Sequence, residues 1–271
     1  MRFHALRVAE RSHFQPKIAA IEQSAIYPLG SDFFQIDHGA DYFAFFDRLG
    51  EVSYQLAIDC ERVAAVGAGV LRQIPYYRGE APRLAWYLCD LKVHPSYQQR
   101  QLSIRLLQHA IAAHVLRCAQ GYAISMNPSD SGNSSRSSNR LVRVLERFRW
   151  LKFQCVTTLG IYSLNADDMR RLEPILIEHR GSIAYLSLAG KKDLRLCSNG
   201  QVLPLLHVQW GTGAASGIEA PQSGYRHMFC APAGDALAIA LTQQGITPDA
   251  TASVISTGMQ SDWCFILTSD I

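Results

Sequence analysis

The stretch RLAWYLCDLKV (83–93) constrains this chain more than any other. Its residues are apolar at both alternating sets of positions, so neither face of the strand it forms can be left to water. Such a strand belongs in the middle of a sheet. His94-Pro95-Ser96 stops it, because proline has no N–H to continue a ladder. From Arg100 to Ala119, Leu102, Leu106, Leu107, Ala110 and Ile111 recur at helical spacing, and Gly121 closes the segment. A buried strand, a proline turn and an amphipathic helix in that order predict an α/β fold with helices covering a sheet.

The flanking segments extend the pattern. Residues 3–8 alternate as a first strand. Residues 14–49 mix helical spacing with an aromatic cluster of Phe33, Phe34, Tyr42, Phe43, Phe45 and Phe46. Segments 53–59 and 63–74 read as a hairpin across Cys60–Arg62. YAISM (122–126) is a short buried strand, 127–138 a polar loop, 139–149 a basic amphipathic helix, and 155–164 a strand. Asn165 followed by Ala166-Asp167-Asp168 carries an N-cap signal and marks a boundary. The expected division is 1–165 and 166–271. The second part holds a helix at 167–180, strands near 183–188, 194–197 and 202–210, a helix at 232–244, and apolar runs at 251–257 and 263–268.

Composition excludes several classes. With 271 residues, 48% hydrophobic and 18% charged, the chain is neither low-complexity nor collagen-like. No apolar run reaches the roughly 18 residues of a membrane-spanning helix, and the N-terminus lacks a secretory pattern. Seven scattered cysteines without a CxxC pair predict a reducing, cytoplasmic setting. Lys and Arg outnumber Asp and Glu by 19 to 13 over 1–165, and by 9 to 2 within 100–152; beyond 165 the balance is 7 to 10. A local basic stretch on a chain of net charge +3 suits a phosphate-bearing ligand or an acidic partner, not a nucleic-acid duplex.

The helix after His94-Pro95-Ser96 opens with unpaired N–H groups at the positive end of its dipole, and Arg100 and Arg105 add charge there. Here the sequence resembles the GCN5-related N-acetyltransferase superfamily, whose signature is V-x-P, a short spacer, and Q/R-x-x-G-x-G/A opening a helix. Val93, Pro95 and Gln98 match it. Gln101 stands at the first glycine position and Ser103 at the second. The element order of 3–164 agrees, and Asn139 with the helix after it resembles the family's second motif. The resemblance implies a GNAT-like mixed sheet flanked by helices over 1–165; the elements of 166–271 read as a second, smaller α+β domain, open to being a degenerate copy of the fold, a lid over the acceptor site or a dimerisation unit. The resemblance also implies a pyrophosphate held at Gln98, Gln99, Arg100, Gln101, Leu102 and Ser103. A pantetheine arm would lie along Leu91 and Val93, and Asn139 would take part in cofactor binding.

Acyl transfer to an amine needs a base for the amine, a proton for the thiolate, and a donor to the carbonyl oxygen. Asp90, inside the central strand, is the candidate base, against the alternative of a structural, paired carboxylate. Leu145 stands where many members of the superfamily carry a tyrosine acid. Tyr97, Tyr122 and Tyr162 are the alternative donors, with Tyr97 the nearest to the motif, although each suits core packing too. His94 reads as a turn residue and Cys89 as core. The aromatic cluster at 33–46 reads as helix packing, or as the wall of an apolar pocket.

In the C-terminal part, His207 and His227-Met-Phe-Cys230 do not complete a tetrahedral set, so no metal is expected. Lys191-Lys192-Asp193 reads as a charged turn. The leading expectation is an N-acyltransferase using acetyl-CoA or another acyl-CoA on a small-molecule amine or peptide acceptor. Two alternatives stand beside it: an N-acyl amino acid synthase-like enzyme fed by acyl carrier protein, and a non-catalytic acyl-CoA-binding module. No membrane or nucleic-acid partner is expected, and a homodimer is the general expectation for such a chain.

Overall fold

The computed structural model describes the chain except for residues 30–31, 76–80, 128–139, 146, 149–150, 212–213 and 215–216. In chain order the elements begin with β1 (Arg2–Ala5), α1 (Arg11–Glu22), β2 (Tyr27–Leu29), β3 (Asp32–Asp37), α2 (Ala44–Asp47), β4 (Glu51–Asp59) and β5 (Arg62–Ile74). There follow β6 (Arg83–Val93), α3 (Leu102–His114), β7 (Gly121–Met126), α4 (Arg140–Leu145) and β8 (Gln154–Leu164). The remainder comprises α5 (Ala166–Arg180), β9 (Ile183–Leu186), β10 (Asp193–Leu196), β11 (Val202–Leu203), β12 (Leu205–Trp210), β13 (Arg226–Pro232), α6 (Ala236–Gln243) and β14 (Ala250–Thr257).

Ten strands form one mixed sheet in the order β1-β4-β5-β6-β7-β14-β8-β13-β12-β9. The pairs β6–β7 and β12–β13 are parallel and the other neighbours antiparallel. As the apolar reading of 83–93 predicts, β6 is internal, between β5 and β7. The last strand, β14, inserts between β7 and β8, so residues after 165 complete the sheet begun before it. A second sheet, β11-β10-β3-β2, is also built from both parts of the chain, with Leu194 of β10 opposite Ile36 of β3. The α/β architecture, a large mixed sheet flanked by helices, agrees with the sequence expectation; the small second sheet, which joins strands from both parts of the chain, is an addition to it.

Strand alternation sorts side chains onto two faces. On one face, Leu56 and Ile58 of β4 join Ile18 and Ile21 of α1 in the largest core cluster, with Phe45 and Phe46 of α2. On the other, Ala57 packs with Leu102 and Leu106 of α3. Leu107 and Ile111 of α3 join Leu145, Phe148 and Phe153, and α5 and α6 cover β12 and β13 through Leu172, Leu176, Leu237 and Leu241. The first face is closed by the small sheet and by Trp263 and Ile266 from the C-terminal segment.

Several expectations are corrected. The 14–49 region is not mainly helical: Phe33 and Phe34 lie in β3. The helix expected to reach Ala119 ends at His114, and Gly121 opens β7. Residues 263–268 are not a strand, since Trp263 takes a left-handed φ of 60° and a 3-10 turn begins at Thr268. The strand over 226–232 carries no clear alternation, because all but its first residue are buried.

Candidate functional site

The site begins with a break in the central pairing. β6 and β7 are in register at Trp86–Gly121, Tyr87–Tyr122 and Leu88–Ala123, and at no later position. Beyond that point β7 is held by β14 on its other edge, while β6 stays on β5 through a bulge. Val66 pairs with Lys92 and Ala68 with Cys89, so Asp90 and Leu91 together oppose Gly67. Asp90 takes the left-handed region, φ 53°, which aspartate tolerates better than most residues. The extra residue changes the phase of the strand. Cys89 packs on the α1 face, whereas Leu91 and Val93 pack beside Leu102 and Leu106 on the α3 face.

The separating strands open a cavity of about 770 Å³. Gln98, Ser103, Leu106 and Leu107 line it from the α3 side, and Phe34, Phe45 and Phe46 from the other. Leu91, Val93 and Ile124 form walls in the gap between the strands, where Asp90 and Lys92 also reach the cavity.

A chain of charges holds the bulge. The Lys92 ammonium pairs with Asp90 Oδ1 and donates to Glu22 Oε1 at 2.8 Å; His38 Nδ1 lies 2.6 Å from the same Glu22 oxygen. Burial pushes the Asp90 carboxyl above its ordinary range, against the pull of Lys92, and its Oδ2 is buried with no hydrogen-bond partner. Burial acts on Glu22 in the same direction, but the His38 hydrogen bond and the Lys92 charge outweigh it and bring that carboxyl below its ordinary value. Burial alone would lower Lys92; Asp90 and Glu22 instead hold it protonated well above its ordinary value.

The turn before α3 keeps the backbone shape that glycines would give it. Gln99 and Gln101 both have left-handed φ, 67° and 56°, and Gln101 is the N-cap of α3 without any side-chain cap. Gln99, Arg100 and Gln101 are exposed and lie off the cavity wall, while Gln98 and Ser103 are on it. Leu102 is buried in the core. Arg100 stacks over the Tyr97 ring at 5.0 Å. The Tyr97 hydroxyl donates to Asp59 Oδ2 at 3.0 Å, and Tyr97 does not line the cavity. Asn139 lies outside the described residues. Leu145 is buried against Leu107 and Ile111. Tyr122 stacks on Tyr87 and Tyr162 on Phe229, both away from the cavity wall. The structure therefore brings together Asp90, Leu91, Val93, Gln98 and Ser103 and leaves Tyr97 outside the group.

Sequence reasoning missed the opposite end of the cavity. Lys192 does sit in a turn, its N–H donating to the Leu188 carbonyl at 2.9 Å, but its side chain is not solvated: it is buried, lines the cavity, and lies 5.0 Å from the centre of the Phe45 ring. Burial, with the charge of Arg48, brings its ammonium down to about 7. His207 of β12 also lines the cavity and is buried. The only sequence hint was the apolar run around His207; for Lys192 there was none, because the β3–β10 pairing that buries it joins distant parts of the chain. His227 is a core residue whose Nε2 accepts from the Gln222 N–H at 3.1 Å, and the Cys230 thiol donates to the Ile266 carbonyl. Among the described residues no group of three or more His, Cys, Asp or Glu side chains is placed to hold a metal, and no helix is long and apolar enough to cross a membrane.

No family model and no curated protein matches the sequence. Solved structures do resemble the fold. A tandem GNAT protein from the clavulanic acid biosynthesis pathway is 11% identical, covers 94% of this chain and 98% of its own, and gives a TM-score of 0.50. A conserved protein from Enterococcus faecalis V583, described as a probable N-acyltransferase, is 9% identical over 94% of this chain and 72% of its own, with a TM-score of 0.45. NAA60 of Arabidopsis thaliana in complex with acetyl-CoA is 14% identical over 59% of this chain and 87% of its own, with a TM-score of 0.40.

Proposed function

We propose that this chain, whose fold is that of the GCN5-related N-acetyltransferases, transfers an acyl group from a coenzyme A thioester to an amine. The observation that carries the reading is the break between β6 and β7, which opens an apolar-walled cavity beside the uncapped start of α3. A volume of about 770 Å³ falls in the range of small-molecule sites. In this reading Leu91 and Val93 flank the pantetheine arm. Gln98 and Ser103 border the pyrophosphate, with the backbone N–H groups from Gln98 to Ser103 as donors. Gln99, Arg100, Gln101 and Leu102 contribute backbone and, for Arg100, charge at the rim.

Transfer forms a C–N bond, breaks the C–S bond to release coenzyme A as its thiolate, and moves a proton from the amine to a base, with a proton returned to the departing thiolate. Asp90 is the proposed base. Its unpaired Oδ2 can accept that proton, directly or through water, and Lys92 fixes the carboxyl by holding Oδ1. Tyr97 is a weaker donor candidate, because its hydroxyl is engaged by Asp59. Residues 166–271 serve as the second unit, supplying Lys192, His207 and Asp270 to the cavity wall.

A second reading is favoured by Phe34, Phe45 and Phe46. They line the cavity together as an aromatic wall, which suits an acyl chain larger than acetyl, as an enzyme fed by acyl carrier protein would need. Calorimetric titration with acetyl-CoA, free CoA and a long-chain acyl-CoA tests both. Micromolar binding lost in Ser103→Trp, with turnover of an amine panel that falls at least a hundredfold in Asp90→Asn, supports transfer. A preference for the long chain supports the second reading. Binding without turnover of any amine marks a non-catalytic module, and absence of binding to all three refutes the acyl-CoA site.

A further inference from the structure

At the end of the cavity remote from α3, Lys192 is buried on the wall with no carboxylate in ion-pair contact among the described residues. The carboxylates near it are Glu22, Asp90 and Asp270. Each carboxylate is engaged by a cation other than Lys192. Asp270 accepts from Arg72 Nη1 at 2.8 Å and from Arg48 Nη2 at 3.4 Å. Glu22 and Asp90 are taken by Lys92, and Glu22 by His38 as well. The Lys192 ammonium has no ion pair and no hydrogen bond among the described residues; the face of Phe45 lies against it, and the charges of Asp270 and Glu22 act on it only from beyond ion-pair distance. A buried cation without a counter-charge is costly, and the cavity beside it is where a counter-charge can enter.

His207 supplies an independent observation. Its Nδ1 lies 3.0 Å from Thr268 Oγ1, and that hydroxyl spends its one proton on the Met228 carbonyl at 3.0 Å. Thr268 must therefore accept from Nδ1–H, which leaves Nε2 as a bare acceptor. Nε2 is buried, has no partner, and belongs to a residue that lines the same cavity. The chamber thus offers one unpaired cation and one unpaired acceptor.

We propose that this end of the cavity is a carboxylate-binding subsite, with Lys192 as the counter-charge and His207 Nε2 accepting a hydrogen bond from a donor on the same ligand. Resting on the acyl-transfer reading, this assigns a carboxylate to one of the reactants. It belongs either to an amino-acid-like acceptor, whose amine is the donor, or to a dicarboxylic acyl group carried by coenzyme A. A simple alkyl amine with an acetyl donor would leave Lys192 unmatched.

The test is calorimetric binding to the full chain in matched pairs. Acceptor probes are phenylalanine against phenethylamine, leucine against isoamylamine, and glutamine against 4-aminobutanamide, each at saturating free CoA. The acyl probe is succinyl-CoA against acetyl-CoA. The expected result is at least tenfold tighter binding of the carboxylate member in one arm, which also identifies the source. Lys192→Met should erase that preference while free CoA affinity stays within twofold. No preference in any pair, or a preference that survives Lys192→Met, overturns the proposal. Should Lys192→Met fail to fold, ζ-15N-lysine NMR of the native chain replaces it, since the sequence holds only five lysines. The Lys192 titration, starting from about 7, should move upward by at least one pH unit with the tighter carboxylate probe and not move upward with its carboxylate-free partner; no upward movement with either overturns the proposal. Carboxylate binding without any CoA binding would refute acyl transfer and leave the subsite standing. CoA binding without carboxylate preference would do the reverse.

Discussion

The Lys92 ammonium lies 2.8 Å from Glu22 Oε1, so one side chain ties helix α1 to the bulge in the central strand. Its other partner is Asp90, two residues earlier on the same strand. A regular strand would send Asp90 and Lys92 to one face and give neither a reason to twist. At the bulge Asp90 takes a left-handed φ, its carboxyl pairs with the Lys92 ammonium, and its Oδ2 is buried without a hydrogen-bond partner in a residue that lines the cavity. The bulge, the ion pair and the open gap are therefore one arrangement.

Removing Lys92 should expose that dependence. Lys92→Met keeps the stem volume but strands two nearly inaccessible carboxylates, Glu22 and Asp90. Breaking a buried pair by deleting one partner costs about 3–5 kcal/mol. Urea denaturation should show a loss of that order at pH 7. Lys92→Met combined with Glu22→Gln and Asp90→Asn should recover at least half of it, because no uncompensated charge remains. A loss below about 1 kcal/mol in the single variant would contradict the network.

Gln101 has a left-handed backbone that glycine adopts freely, φ 56° at the N-cap of α3. A left-handed non-glycine residue costs about 1–2 kcal/mol, and the entropy that glycine loses on folding returns about 0.5–1. Gln101→Gly should therefore stabilise the chain by up to about 1 kcal/mol in urea denaturation. It should leave acetyl-CoA affinity within twofold, because the Gln101 side chain is exposed and off the cavity wall. Gln101→Pro, which cannot adopt that φ, should destabilise.

Ser103 and Tyr97 separate the cavity from its surroundings. Ser103 is on the wall, whereas the Tyr97 hydroxyl is engaged with Asp59 outside it. Ser103→Trp should weaken acyl-CoA binding at least tenfold with an unchanged circular dichroism spectrum. Tyr97→Phe should leave the affinity within twofold and cost no more than about 1.5 kcal/mol in stability, the scale of a single hydrogen bond. Equal effects of the two substitutions on affinity would place the site elsewhere.

What could be read from the sequence follows the range of the interactions. β6 was legible to the residue, because an apolar run ended by His94-Pro95 is a local signal. The motif turn was legible too, but its outcome was not: whether Gln101 could replace glycine depends on φ, which the structure gives as left-handed with the side chain outward. The insertion of β14 between β7 and β8 leaves no local trace, since its Val254 and Ile255 read the same in any buried strand. The same holds for Lys192. Nothing in Lys191-Lys192-Asp193 distinguishes the exposed lysine from the buried one; the pairing of Asp193 with Asp37, far apart in sequence, makes the difference. Asp90 could be singled out as a costly strand carboxylate, but its partner on α1, reached through Lys92, could not.

Lys192 also makes a prediction about pH. Burial brings its ammonium from an ordinary 10.5 down to about 7. Between those values the unfolded chain binds more protons than the folded one, so this group makes folding more favourable as pH rises, and the gain is lost as pH falls toward 7. The slope approaches about 1.4 kcal/mol per pH unit. Cys89, Cys230 and Cys264, pushed up to about 12 by burial, act in the opposite sense at alkaline pH. The informative quantity is thus the difference between the native chain and Lys192→Met, in which the thiol contributions cancel. Urea denaturation at pH 7.5, 8.25 and 9 should show the native chain gaining on the variant at each step, by about 2 kcal/mol over the range. At pH 6 the variant should be the more stable of the two, because methionine removes a buried charge with no partner. A difference that does not change with pH would mean that Lys192 keeps its ordinary ammonium, and that some group at the cavity wall already neutralises it.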